Sequence, residues 1–208
     1  MTVRAVVLPG TPLLVPGAAG NAQVLVGSRE AALTALRRLV DGLVSQRASS
    51  ATTVAVVAPG ASSRRGPARA SLAAVGVADA WLDAGWAATA RAATAEAPVA
   101  GTAASIGLLA LAGAGWEGDV DVVELDDADL SAARELGADL ARQGTRIVVV
   151  RDPRSAAPDA VLTGFGAAPD GGRRHVATGE YEQHRYEVRW YDDHALSSPG
   201  PLSGSVSR

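Results

Sequence analysis

Val54-Ala55-Val56-Val57-Ala58-Pro59-Gly60 decides how this chain is read: five small apolar residues, three of them β-branched, run straight into a proline and a glycine. A run this short and this evenly apolar suits a strand buried on both faces, as inner strands of parallel sheets are. The amino terminus repeats the pattern. A strand beginning at Val3 passes through Val6-Val7-Leu8 and breaks into Pro9-Gly10-Thr11-Pro12-Leu13-Leu14-Val15-Pro16. Ligands of open α/β sheets collect outside the carboxyl ends of the strands, so both loops mark where a site is expected. Neither loop contains a side chain that ionises near neutrality.

Working outward, Ser28 reads as the cap of a helix in which Leu33, Leu36, Val40, Leu43 and Val44 recur at helical spacing, ending near Arg47. Pro67 fits the first turn of a short helix through Leu72 that Gly76 closes. Residues 78–97 are alanine-rich, with Trp81 and Trp86 as large side chains, and also read as helix. Thr102 caps an apolar helix through Ala112, and a third strand follows over 120–125. Asp129 starts a helix carrying Leu130, Ala133, Leu136, Leu140 and Ala141 on one face, stopped by Gly144 before a fourth strand over 146–150. Strands alternating with helices place the fold in the α/β class, a mostly parallel central sheet with helices on both faces. Beyond Asp152 the sequence turns to Pro, Gly, Asp and Arg, and the alternating Tyr186-Glu187-Val188-Arg189-Trp190-Tyr191 reads as an edge or added strand. One domain over residues 1–196 and a disordered tail over 197–208 are expected.

The 208 residues are 48% hydrophobic and 20% charged, enough apolar material for one core built of Ala, Val and Leu. Lysine is absent, so all 19 basic residues are arginine, and the formal net charge of −3 offers no general attraction to nucleic acid or an anionic membrane. Without cysteine there is no disulfide, thiolate zinc site or cysteine nucleophile, which fits a reducing cytosol. Pro9 breaks the first apolar stretch too early for a signal peptide, and the run 106–114, holding Gly107 and Gly113, is too short for a bilayer. A cytoplasmic protein with neither nucleic-acid nor membrane partners is expected.

The opening Leu8-Pro9-Gly10-Thr11-Pro12-Leu13-Leu14-Val15-Pro16 resembles the strand followed by Pro-His-x-Pro-Leu-Leu of the LigB-like superfamily, the class III extradiol ring-cleavage dioxygenases and their relatives. The segment from Val54 to Gly60 is similar to that family's second strand followed by Pro-His-Gly, and Pro98-Val99-Ala100-Gly101-Thr102-Ala103-Ala104-Ser105 is similar to a further block. The likeness covers roughly the first three quarters of the chain through short motifs. It implies a three-layer LigB-like architecture and non-haem Fe(II) held by two histidines and a carboxylate, with open positions for a catechol-type substrate and dioxygen. The family's first histidine falls at Gly10 or Thr11 and its second at Gly60, which removes the nitrogen half of the triad. Glu180 and Glu182 are candidates for the carboxylate by their late position alone.

The reading that follows is a divergent relative without a cofactor, which has lost iron-dependent ring cleavage and binds a small molecule or a protein partner. Gly10, Thr11, Pro59, Gly60 and Ser62 are then expected to line its ligand cleft. The alternative is an active oxidoreductase that opens a catechol-type ring with dioxygen through Fe(II) at a rebuilt site. For that, His175, His184 and His194 lie near Glu180, Glu182, Asp192 and Asp193, although their spacing matches no helical pair, and three solvent-facing histidines are the competing reading. A homo-oligomer is compatible with either.

Other chemistries have weaker anchors. Ala103-Ala104-Ser105-Ile106-Gly107 approximates a nucleophile elbow, but lacks the first glycine and a preceding strand, so Ser105 reads as a helix-packing residue. Arg64, Arg65 and Arg69 follow Ser62 and Ser63 in a loop that reads as solvated, with an anion site at a helix start as the sharper option. The tryptophans, Trp81, Trp86, Trp116 and Trp190, read as fillers of core or interface. The acidic run from Glu124 to Asp129 reads as a solvated helix start.

Overall fold

Valine-rich runs become inner strands. In a computed structural model, which describes residues 2–44, 53–87, 96–168, 171–178, 185–193 and 196, β1 (Val3–Pro9), β2 (Val54–Pro59), β4 (Val120–Leu125) and β5 (Arg146–Arg151) lie parallel. Three antiparallel strands, β3 (Arg64–Gly66), β6 (Arg173–Thr178) and β7 (Arg185–Asp192), extend them to a seven-stranded sheet of order β3-β4-β2-β5-β1-β7-β6. The fold is α/β, as the alternation of strands and helices implies.

Side-chain alternation sets the layers, because successive residues of a strand point to opposite faces. Val6, Leu8, Val56, Ala58, Val148 and Val150 pack with α1 (Val26–Val44) and α2 (Thr102–Gly113). Ala5, Val7, Ala55, Val57, Ile147 and Val149 pack with α3 (Leu130–Arg142) and α4 (Ala157–Gly164). This gives three layers with a core on each side of the sheet. On the second side α3 and α4 touch backbone to backbone, since a Cβ at Gly137 would strike the Val161 carbonyl and one at Gly164 the Arg134 carbonyl.

Several local expectations need correction. Helix α1 begins at Val26, after Leu25 in the left-handed region (φ 51°), so Ser28 lies inside its first turn with its hydroxyl buried. The start is held by Arg29, whose guanidinium donates to the carbonyls of Leu14 (2.9 Å), Leu13 (3.3 Å) and Val24 (3.1 Å). Burial of that guanidinium lowers its pKa. The expected end of α1 near Arg47 lies outside the described residues. Gly101, not Thr102, is the N-cap of α2.

No helix forms over 67–72, where the chain follows β3 rather than turning into a helix. The residues just before Pro67 pair as β3 along the free edge of β4, the chain then bridges Arg69 to Val99, and Gly76 (φ 78°) closes only a 3-10 turn, Ala73–Val75. Within 78–97 the structure describes a 3-10 turn, Asp79–Trp81, and helix over 84–87, and 88–95 lie outside the described residues. Asp129 does cap α3, its Oδ1 accepting from the Ser131 and Ala132 amides at 3.0 and 2.9 Å. Helix α4 and strand β6 join the elements the sequence implies, and β7 is an added antiparallel strand as expected, set between β1 and β6 and not at the edge. Residues 197–208 lie outside the described residues. Among those described, no helix is long and apolar enough to cross a membrane.

Candidate site at the carboxyl ends of the strands

Parallel pairing brings the two proline-glycine loops to one edge of the sheet. Pro9 stands opposite Arg151 and Pro59 opposite Leu125, at the ends of β1, β5, β2 and β4. Each glycine continues the ladder by one bond: Gly10 N–H donates to the Arg151 carbonyl at 2.7 Å and Gly60 N–H to the Leu125 carbonyl at 2.8 Å. That continuation crowds both positions. A Cβ at Gly10 would lie 2.5 Å from the Arg151 carbonyl oxygen, and one at Gly60 would lie 2.9 Å from Glu124 Cβ and 3.0 Å from the Ser62 carbonyl oxygen. A histidine at either position would have to move backbone.

The remaining cleft residues are modestly placed. Thr11 Oγ1 accepts from the Leu13 amide at 3.4 Å, capping the 3-10 turn Pro12–Leu14, so its hydroxyl serves the loop. Pro59 and Gly60 are half-buried, and Ser62 is exposed beside them. Ser63 and Asp126 clasp each other, each amide donating at 3.2 Å to the other's side chain.

Charge at this edge is committed to structure. Arg64 and Arg65 do not sit in a solvated loop or at a helix start: on β3, Arg64 Nε pairs with buried Glu124, and Arg65 Nε pairs with Asp121 at 2.6 Å. Glu124 also accepts from the Gly101 amide at 2.6 Å, and Arg64 donates to the Val99 carbonyl at 2.9 Å, so this pair staples β3 and β4 to the start of α2. A mostly buried pair of this kind fixes geometry more surely than it adds stability. Asp127 accepts from the Ser155 hydroxyl (2.8 Å) and the amides of Ala156 (3.0 Å) and Ala157 (2.8 Å) at the start of α4. Those bonds, led by the Ser155 hydroxyl, hold its carboxyl below the usual range. Arg151 pairs with Asp159 at 2.5 Å. The acidic run is exposed from Asp127 to Asp129 and starts α3, as expected, while its carboxylates also serve as caps and, at buried Glu124, as an ion pair.

Ser105 is fully buried, donating to the Ala100 carbonyl at 3.1 Å and accepting from the Ser71 amide at 3.0 Å; it lies in the first turn of α2 with no strand before it. It is a packing residue. Trp86 and Trp116 are buried as expected, Trp190 is half-buried, and Trp81 is 66% exposed, which places it outside the core.

Of the three histidines, His175 stands on β6 opposite Val188, away from this edge. His184, His194, Glu180 and Glu182 lie outside the described residues. Among the described residues no three His, Asp or Glu groups converge as a metal would need. The Fe(II) that the resemblance implies thus finds no fitting donor set there: the positions it assigns to imidazole hold Gly10 or Thr11 and Gly60, a Cβ at either glycine would meet neighbouring atoms within 3.0 Å, and the Thr11 hydroxyl is bonded to its own loop. Comparison with protein families, curated proteins and solved structures returns no match.

Proposed function

We propose that this protein is a LigB-like binding protein without iron-dependent ring cleavage, which takes a small molecule at the carboxyl edge of its sheet, beside Thr11 and Ser62. What supports this reading is the crowding at Gly10 and Gly60, where each glycine amide extends a strand ladder and even a Cβ would press on neighbouring atoms. A facial triad needs three fixed ligands on one side of the metal, and neither histidine position can supply one. The loops hold Pro9 and Pro59, which shape the backbone, whereas Arg64 with Glu124 and Arg151 with Asp159 form ion pairs and Asp126 accepts from the Ser63 amide. Fold likeness alone does not carry an activity, so the site decides.

The test is anaerobic reconstitution of the full chain with Fe(II), followed by oxygen uptake with a panel of catechols. We expect no stoichiometric iron and no uptake above the protein-free rate. Turnover of any ordinary catechol overturns the reading in favour of an active oxidoreductase with a rebuilt site.

A further inference from the structure

A groove of about 310 Å³ runs between α1 and the β6–β7 hairpin, flanked by these strands rather than by the ends of β1 and β2. Register builds its sheet wall. His175 pairs with Val188 and Arg173 with Trp190, so alternation turns His175 and Trp190 to the side covered by α1. The helix wall is opened by Gly27 and Ala31, whose small side chains leave space for the rings, and carries Glu30 and Arg38 two turns apart.

Both rings hold a nitrogen, His175 Nε2 and Trp190 Nε1, that is buried and has no hydrogen-bond partner. Buried polar atoms in native proteins are nearly always partnered, and two exceptions on the wall of one groove ask for one explanation. The indole N–H can only donate, and so can a guanidinium, so the group that meets Trp190 and Arg38 has to be an acceptor. An anion serves both, since charge-assisted bonds are the stronger kind. Glu30, toward the other end, repels a second acid group, while His175 there suits a hydroxyl.

We propose that this groove binds a small organic acid with a flat apolar body, its single acid group held by Arg38 and, once a turn of the indole uncovers the buried N–H, by Trp190 Nε1, with its ring laid along the indole. The volume is at the small end for ligand sites, which limits the ligand to one ring with short substituents.

Benzoate, benzamide and benzamidinium have the same shape and differ in charge, so they serve as probes, titrated against the full chain by tryptophan fluorescence and ligand-observed NMR. Benzoate is expected to bind saturably and at least about tenfold more tightly than benzamidinium, with benzamide between. Arg38→Gln, at a half-exposed position that the fold tolerates, should weaken benzoate about tenfold and erase the charge preference. Trp190→Phe keeps an aromatic face and removes the N–H, and should weaken benzoate by a clearly larger factor than benzamidinium. Circular dichroism checks that both variants fold. Absence of saturable benzoate binding, or equal affinity in the wild type and Arg38→Gln, overturns the proposal. The outcome is independent of whether iron binds at the strand ends.

Discussion

At Gly10 and Gly27 the same residue type answers to different constraints. A side chain at Gly10 would be driven to 2.5 Å from the Arg151 carbonyl oxygen, and the only relief is movement of β1 or β5. Gly10→Ala is therefore expected to cost about 1–3 kcal/mol, the range for forced overpacking, measured by urea denaturation. At Gly27 the added Cβ would lie 3.5 Å from His175 Nε2, an ordinary contact, in the first turn of a helix. Gly27→Ala is expected to leave stability unchanged or raise it by up to about 1 kcal/mol, because alanine is the better helix former. Equal losses at the two positions would contradict the steric account of the strand-end glycines. The sequence supplied the positions of Gly10 and Gly60 directly after two apolar, proline-ended runs. That the space itself is closed depends on Arg151 and Glu124, which reach these loops only through strand pairing.

At the scale of elements, Asp127 and Asp129 show why one cap was legible and the other was not. Asp129 caps the helix that begins at the next residue, a local pattern. Asp127 caps α4 from 28–30 residues away, so nothing next to α4 in sequence announces the carboxylate, although Pro158 and Asp159 in its first turn do mark a helix start. The bonds to Asp127 make a pH prediction. Its folded pKa is lowered, so the unfolded chain takes up the proton first as pH falls, and the stabilisation is present above the usual carboxylate value of about 3.9. It is lost as pH drops from there through the lowered folded value. Asp127→Asn should therefore be less stable than wild type at neutral pH, with the gap closing below about pH 4 in thermal melts. A gap that stays constant to pH 2 would show that the charge of Asp127 is irrelevant to the cap.

For the whole molecule, sheet order decides which regions are protected. Strands β2, β5 and β1 are inner strands covered on both faces, whereas β3 and β6 end the sheet among the described residues. Hydrogen exchange should be slowest at amides of Val56, Val148 and Val6, and faster by at least about a hundredfold on β6, because edges open without global unfolding. Protection of β6 equal to that of β2 would mean that another strand covers this edge, and would point to association between copies of the chain.

What the sequence determined by itself was the inventory of the central fold: four apolar runs for the parallel strands, the apolar faces of α1, α2 and α3, and the cap at Asp129. These signals are local, since strand burial and helix periodicity are written in consecutive residues. Only the tertiary structure decided the rest. The insertion of β7 beside β1 pairs Val7 with Arg189, the Arg64–Glu124 staple joins residues 60 apart, and the groove under α1 is completed by a hairpin from the far end of the chain. Pairings across such separations depend on which edges remain free once the parallel core has formed, and no single stretch of sequence carries that information.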